Sequence, residues 1–321
     1  MNRHKGFLLI GLLATLIIVG LIIYLNKGTF AIYQPYREMR TPITSTITGG
    51  PRWQSLGEGV RNQVDNIAVD SSGRVYASAY SMEPGLFRWE GGTSWSQLSD
   101  GGNLSAVNAF VIDRSGNLYA FGQGIGSGHV FAKWDGSSWS VLGRAEGYRL
   151  WIDSSDNLYT NSNDISHSRY VIKKFDGSHW LTVNGEFNDT IIALGFDSSG
   201  NLYASGYFTS VGGILANRIA KWNGTSWSAL GMGLNLGIVN ALACDSSGNL
   251  YAGGNYTTAG GVTANRIAKW DGTSWSALGR GLNGQVKALA FDSSGNLYVG
   301  GAFTIAGGIT ANHIAKCIPS R

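Results

Sequence analysis

Two cysteines, five prolines and five histidines are few for 321 residues, and each scarcity excludes something. Cys244 and Cys317 fall in repeat slots that apolar residues fill elsewhere. They read as core packing, not as a disulfide or a metal pair. The histidines show no metal-ligand spacing such as H-E-x-x-H, and no P-loop, G-x-S-x-G elbow or C-x-x-C occurs. Charged residues make up only 14% of the chain, well below the usual quarter. The net charge of +4 sits entirely in residues 1–51, leaving residues 52–321 with as many basic as acidic side chains. A nucleic-acid partner calls for a basic stripe on the folded part, so none is expected.

What the chain does have is 43% hydrophobic residues, 47 glycines and 11 tryptophans. That mixture suits many short strands joined by tight turns, whereas disordered low-complexity chains lack such aromatic content. Near the start, Phe7 to Leu25 is a run of 19 residues without a charge, preceded by Arg3, His4 and Lys5. At 1.5 Å rise per residue it is about as long as a bilayer core is thick, roughly 30 Å. A cleavable signal peptide would be shorter in its apolar part and end in a better small-residue site than Thr29-Phe30-Ala31. The basic flank keeps the N-terminus in the cytoplasm and puts the body outside it, at the cell surface or in the periplasm. Residues 1–26 are therefore expected to be a transmembrane helix and residues 27–51, with Pro35, Pro42 and Pro51, a linker.

Residues 52–321 are built from one repeated unit. Asp-Ser-Ser-Gly-Asn-Leu-Tyr or a variant recurs with Asp at 70, 113, 153, 197, 245 and 292, a period of 40 to 48 residues. That period is a propeller blade's. Each copy carries four strand-like segments. The first precedes the Asp: Val64–Val69, Val107–Ile112, Gly147–Ile152, Ile191–Phe196, Val239–Cys244 and Val286–Phe291. The second holds Tyr76, Tyr119, Tyr159, Tyr203, Tyr251 or Tyr298. The third ends at Trp89, Trp134, Phe175, Trp222, Trp270 or Cys317, and the fourth begins at Trp95, Trp139, Trp180, Trp227 or Trp275. The fourth segment has an extra copy at the start, Trp53-Gln54-Ser55-Leu56-Gly57, and the last repeat lacks its own. The expected fold is an all-β, six-bladed propeller of four-stranded blades, 24 strands, closed by the N-terminal strand. Asp-Ser-Ser-Gly suits a type I turn followed by a left-handed glycine, with Asp accepting a local hydrogen bond.

Two resemblances follow from these residues. The repeat Ala-Leu-Ala-x-Asp-Ser-Ser-Gly-Asn-Leu-Tyr-Val-Gly-Gly-x-Phe-Thr-x-Ala-Gly-Gly, followed by Ala-Asn-x-Ile-Ala-Lys-Trp-Asp-Gly-Thr-Ser-Trp, resembles those of bacterial extracellular propellers. It is similar in style to kelch-like and delta-60-type repeats and to the fungal cortical polarity-marker family. The resemblance implies a propeller with surface roles and carries no common catalytic residues. Lys5-Gly6-Phe7-Leu8-Leu9-Ile10-Gly11 resembles a type IV prepilin leader, which implies cleavage before Phe7 and pilus or filament subunits as partners. Gly11 stands where that family usually has Glu, and a plain signal anchor accounts for the same residues.

Candidate sites lie on loops. The longest connections, Phe208–Asn217, Tyr256–Asn265 and Phe303–Asn312, all join second to third strands and so rise on one face. They bring Asn217, Arg218, Asn265, Arg266, Asn312 and His313 to that face, where cationic donors beside amides suit a glycan or protein ligand. The irregular third repeat around Asn161–Tyr170 is the other candidate. The six turn aspartates could ring a cation, but capping their own turns explains them, and neither metal nor cofactor is expected. Asp271-Gly272-Thr273-Ser274-Trp275 is similar to the sialidase Asp-box, which is structural; no catalytic residue is assigned. Asn103, Asn188, Asn223 and Asn255 head N-x-S/T triplets. The expected function is a binding or surface-display module held at the membrane. A pilin-like subunit bearing a propeller and an extracellular glycosidase or lyase are the alternatives.

Overall fold

The computed structural model describes residues 51–318, apart from 61–62, 80–84, 93, 99–103, 125–127, 137, 165–168, 184 and 235–236. All of these lie in the compact unit Ile47–Arg321. The apolar run, the pilin-like leader and the linker lie outside the described residues. Among those described, no helix is long and apolar enough to cross a membrane.

Six four-stranded antiparallel sheets form the blades. Blade 1 comprises Val64–Val69, Val75–Ala79, Gly85–Trp89 and Trp95–Leu98; blade 2 comprises Leu104–Ile112, Leu118–Gly124, Gly128–Trp134 and Trp139–Arg144. Blade 3 comprises Leu150–Ile152, Leu158–Asp164, Arg169–Phe175 and Trp180–Thr182; blade 4 comprises Ile191–Phe196, Leu202–Gly206, Ile219–Trp222 and Trp227–Ala229. Blade 5 comprises Ile238–Cys244, Leu250–Asn255, Ile267–Trp270 and Trp275–Ala277. Blade 6 takes Val286–Phe291, Leu297–Gly301 and Ile314–Ile318 from the end of the chain, and Arg52–Ser55 from its beginning.

The register shows why that closure works. In blades 1, 2, 4 and 5 the third and fourth strands meet through opposed tryptophans, Trp89↔Trp95, Trp134↔Trp139, Trp222↔Trp227 and Trp270↔Trp275. Their ring centroids are 5.3 to 5.5 Å apart and tilted, the cross-strand aromatic pairing that stabilises antiparallel ribbons. In blade 6 the same register pairs Trp53 with Cys317. Cys317 thus takes the slot of a tryptophan, is fully buried, and has its thiol pushed up to about 12 by burial. Neither it nor Cys244 is in a disulfide, in keeping with core packing. Six apolar clusters fill the six junctions between neighbouring blades. The junction of blades 6 and 1 is among them, held by Val64, Ile67, Ala288, Tyr298 and Ile314.

The turn motif accounts for each of its own residues. In blade 4 Asp197 Oδ1 accepts from the Ser199 and Asn201 N–H groups, both at 3.0 Å. Its Oδ2 accepts from Asn201 Nδ2 at 2.7 Å and from the Tyr203 hydroxyl at 3.2 Å. Burial first, and the adjacent carboxylate second, push the phenols of Tyr159, Tyr203, Tyr251 and Tyr298 up, so they stay protonated donors. Lys133, Lys174, Lys221, Lys269 and Lys316 lie 5.3 to 5.7 Å over the tyrosine rings of their blades. With both oxygens of each aspartate occupied by its own turn, capping is the role that the hydrogen bonds display. Blade 3 alone puts a non-glycine, Asp156, in the left-handed turn position, at φ 63°. Its carboxylate then holds Arg114 of blade 2 at 3.0 Å.

Two features depart from the sequence reading. The long connections of blades 4, 5 and 6 are not plain loops: each folds into a two-stranded hairpin (Ser210–Val211 with Ile214–Leu215, Thr258–Ala259 with Val262–Thr263, Ile305–Ala306 with Ile309–Thr310). Their six short strands add to the 24 of the blades, 30 described strands in all. In blade 3 the innermost strand is only Leu150–Ile152, and before it the Tyr148 and Arg149 N–H groups donate to the Asn161 side chain, at 3.4 and 3.2 Å.

Candidate binding site at the channel mouth

The hairpins and the start of every innermost strand share one face, since each blade runs in and out four times; the Asp turns lie on the other. On the hairpin face the three Asn pairs prove to be braces. Asn217 Nδ2 donates to Met232 O at 3.0 Å, Asn265 Nδ2 to Arg280 O at 3.2 Å and Asn312 Nδ2 to Glu58 O at 3.4 Å. Each thereby ties its loop to the Leu-Gly-x-Gly connection that leads into the next blade. The following residues, Arg218, Arg266 and His313, all sit at left-handed φ, 65° to 69°, where non-glycine residues are strained. Arg218 Nη1 donates to Gly237 O at 3.2 Å, at the entrance to blade 5, and Arg266 Nη1 to Tyr256 O at 3.1 Å. Arg266 Nε and His313 Nδ1 are buried without a hydrogen-bond partner. The six residues thus share one face, but each pair is bonded at its own blade boundary, and no contact among the described residues brings the pairs together.

A second group, which the periodicity of the sequence conceals, gathers at the channel. In blades 1, 2, 4, 5 and 6 the innermost strand carries a β-bulge five residues before the turn aspartate. A bulge leaves one residue out of the ladder and re-aims it. The bulged residues are Asp65, Asn108, Ile192, Asn240 and Lys287, and Tyr148 holds the equivalent place in blade 3. Across from three bulges stands a glycine, Gly206, Gly254 or Gly301, on which a Cβ would run into the carbonyl oxygen of Thr190, Ile238 or Gln285. The second glycine of Leu-Tyr-Ala-Gly-Gly therefore exists to admit the bulge.

The channel has a volume of about 1270 Å³ and is lined by the innermost strands, with Asp65, Asn108, Arg149, Trp151, Asn240 and Lys287 among its walls. Polar side chains stitch neighbouring blades around this mouth. Asn66 Nδ2 donates to Phe110 O at 3.0 Å, Asn161 Nδ2 to Ile191 O at 3.0 Å and Asn240 Nδ2 to Val286 O at 2.9 Å. Blade 6 reaches blade 1 through Lys287 Nζ and Asp65 Oδ1, 2.6 Å apart, and Gln63 Nε2 donates to the same oxygen at 3.1 Å.

Sequence reasoning singled out the hairpins of this face and passed over the channel mouth. The missed signal lay in the aligned copies. Three residues before the aspartate they read Ile, Phe, Leu, Leu, Leu, Leu; five before, they read Asp, Asn, Tyr, Ile, Asn, Lys.

Residues 228–315 match the family model of the Rax2 C-terminal β-propeller domain. No curated protein gave a match. Among solved structures, a gluconolactonase from Xanthomonas campestris is similar at a TM-score of 0.59 and 12% identity, over 84% of this chain and 90% of that one. The calcium-binding protein regucalcin from Agrobacterium tumefaciens is similar at 0.56 and 10% identity, over 83% and 93%. A PQQ-bound aldose sugar dehydrogenase from Streptomyces coelicolor follows at 0.55 and 13%, over 84% and 98%. At such identities the likeness is one of fold, and function has to be argued from this chain's own site. The chain carries a six-bladed propeller whose last repeats are similar to the Rax2 C-terminal propeller domain.

Proposed function

We propose that the chain is a binding module, held by Phe7–Leu25 with its propeller outside the cytoplasm, that takes a glycan or protein partner on the hairpin face. One observation carries the reading. The six copies agree in their turn aspartates, fourth-strand tryptophans and core, and differ at the channel mouth, where the bulge position carries Asp, Asn, Tyr, Ile, Asn and Lys in turn. Variation on a rigid scaffold is what recognition needs. Asp65 favours binding over acid–base chemistry: Lys287 and Gln63 already occupy one of its oxygens, which makes it a fixed acceptor. Leu215 and Val262 of the hairpins and Met232 of the connection into blade 5 add apolar surface on the same face, exposed by 83%, 41% and 63%.

The test is a glycan array and pull-down with the full-length chain. Replacing Arg218, Arg266 and His313 together by glycine relieves the left-handed backbone, which offsets the loss of the Arg218 and Arg266 hydrogen bonds, so the melting temperature should change little. Binding of the recovered ligand should weaken roughly tenfold. An unchanged affinity in the folded variant would take the site off the hairpin rim.

A further inference from the structure

Side chains link neighbouring blades around the mouth. Side chains cross from blade 1 to 2, 3 to 4, 5 to 6 and 6 to 1. Ser205 Oγ and Val239 O, 3.5 Å apart, link 4 to 5. In blade 2, Asn108 lies 3.4 Å from His129 of its own blade. Blade 3 brings Arg149 to the channel wall, and its guanidinium has no hydrogen bond or ion pair among the described residues. Its backbone is nonetheless fixed, because Asn161 Oδ1 accepts from Arg149 N at 3.2 Å and Thr160 Oγ1 donates to Arg149 O at 2.7 Å.

Blade 3 is unusual here. Four residues before the turn aspartate, four of the other blades have Ala109, Ala193, Ala241 and Ala288; two residues before it, blades 1, 4, 5 and 6 have Ala68, Gly195, Ala243 and Ala290. Blade 3 has Arg149 and Trp151. Leu150 between them is buried in the core shared with blade 2, so strand alternation turns both its neighbours to the side of blade 4, where Trp151 packs against the shared core, and both line the channel. We propose that the channel wall at blade 3 binds a carboxylated sugar of the uronate class, with Arg149 pairing the carboxylate and Trp151 meeting the ring face.

The proposal rests on the reading of the chain as a binding module and names what the mouth selects. A guanidinium matches a carboxylate with two parallel hydrogen bonds. Amides can both donate to and accept from sugar hydroxyls, and Asn108, Gln63 and Gln285 supply them at the mouth. Lys287 already neutralises Asp65, and Glu146 on the approach to Arg149 is paired with Lys173, which leaves Arg149 as the uncompensated charge. Burial disfavours that charge and the Asp65 carboxylate only partly restores it, so an arriving anion improves its setting.

The experiment titrates the full-length chain calorimetrically with a galacturonate trisaccharide and with its methyl ester, which has the same shape and no charge. The acid should bind about tenfold or more tightly than the ester. Arg149→Gln should bring the acid down to the ester's affinity without moving the ester's own. Asp65→Asn, which removes the nearest carboxylate and frees Lys287, should raise the acid's affinity severalfold. Equal affinities of acid and ester for the native chain, or an unchanged acid affinity in a folded Arg149→Gln variant, would overturn the proposal. Binding of both sugars without preference would do so while leaving the binding module intact. Silence toward both would overturn it and take the glycan reading with it.

Discussion

Deleting Arg52–Gly57 from the otherwise complete chain lowers the melting temperature by about 10 °C or more, followed by circular dichroism or calorimetry. The segment is short, but three losses coincide. Trp53, almost fully buried, leaves the cluster that joins blades 5 and 6, and burying an aromatic of that size is worth about 3–5 kcal/mol. Leu56 and Val60 belong to the cluster joining blades 6 and 1, so removing the first and untethering the second weakens the seam itself. Finally, Ala315 to Ile318 lose their ladder partners and become an open edge inviting association with another chain. A truncated chain melting at the native temperature would mean that Arg52–Ser55 does not close the ring.

Gly301→Ala should destabilise the propeller by about 3 kcal/mol, more than an added methyl group costs at a turn glycine such as Gly295. The two positions separate steric clash from backbone strain. Gly295 has φ +78° and open space around it, so alanine there pays only for its left-handed conformation, about 1 kcal/mol. Gly301 has no such strain, but its Cβ would meet Gln285 O and lie 3.0 Å from Val286 Cα. Relief requires the bulge opposite to shift, and that bulge aims Lys287 at Asp65. Urea unfolding of both variants decides the matter; equal losses would show that the bulge does not depend on its glycine. The same substitution should loosen the mouth, linking a stability effect to the candidate site.

The blade count, the turns and the closure were legible because each rests on short-range chemistry repeated six times. Asp-Ser-Ser-Gly-Asn-Leu-Tyr specifies its own hydrogen bonds within seven residues, and the surplus Trp53 segment announces a strand without neighbours in sequence. The bulges were not legible. A bulged residue interrupts the alternation that identifies a strand, so Asp65 and Lys287 looked like ordinary members of their strands, and their pairing spans 222 residues. Asn217, Asn265 and Asn312 were read as ligand contacts because their type and position suit one. The backbone carbonyls that they hold come from connections 15 residues on, or for Asn312 from the other end of the propeller. Arg149 could be seen only against the other copies, as a charge where four of them have alanine.

The central claim is that partners engage the hairpin face and channel mouth, and hydroxyl-radical footprinting of the full-length chain with its array-recovered saccharide tests it most directly. Tyr148, 75% exposed beside Arg149, and Met232, 63% exposed beneath the blade 5 hairpin, should be protected from oxidation. Leu142 and Leu181, exposed by 48% and 55% on the outer strands of blades 2 and 3, should react as they do in the free protein. Protection of Leu142 and Leu181 with Tyr148 and Met232 unchanged would put the binding surface on the rim of the disc and contradict the account.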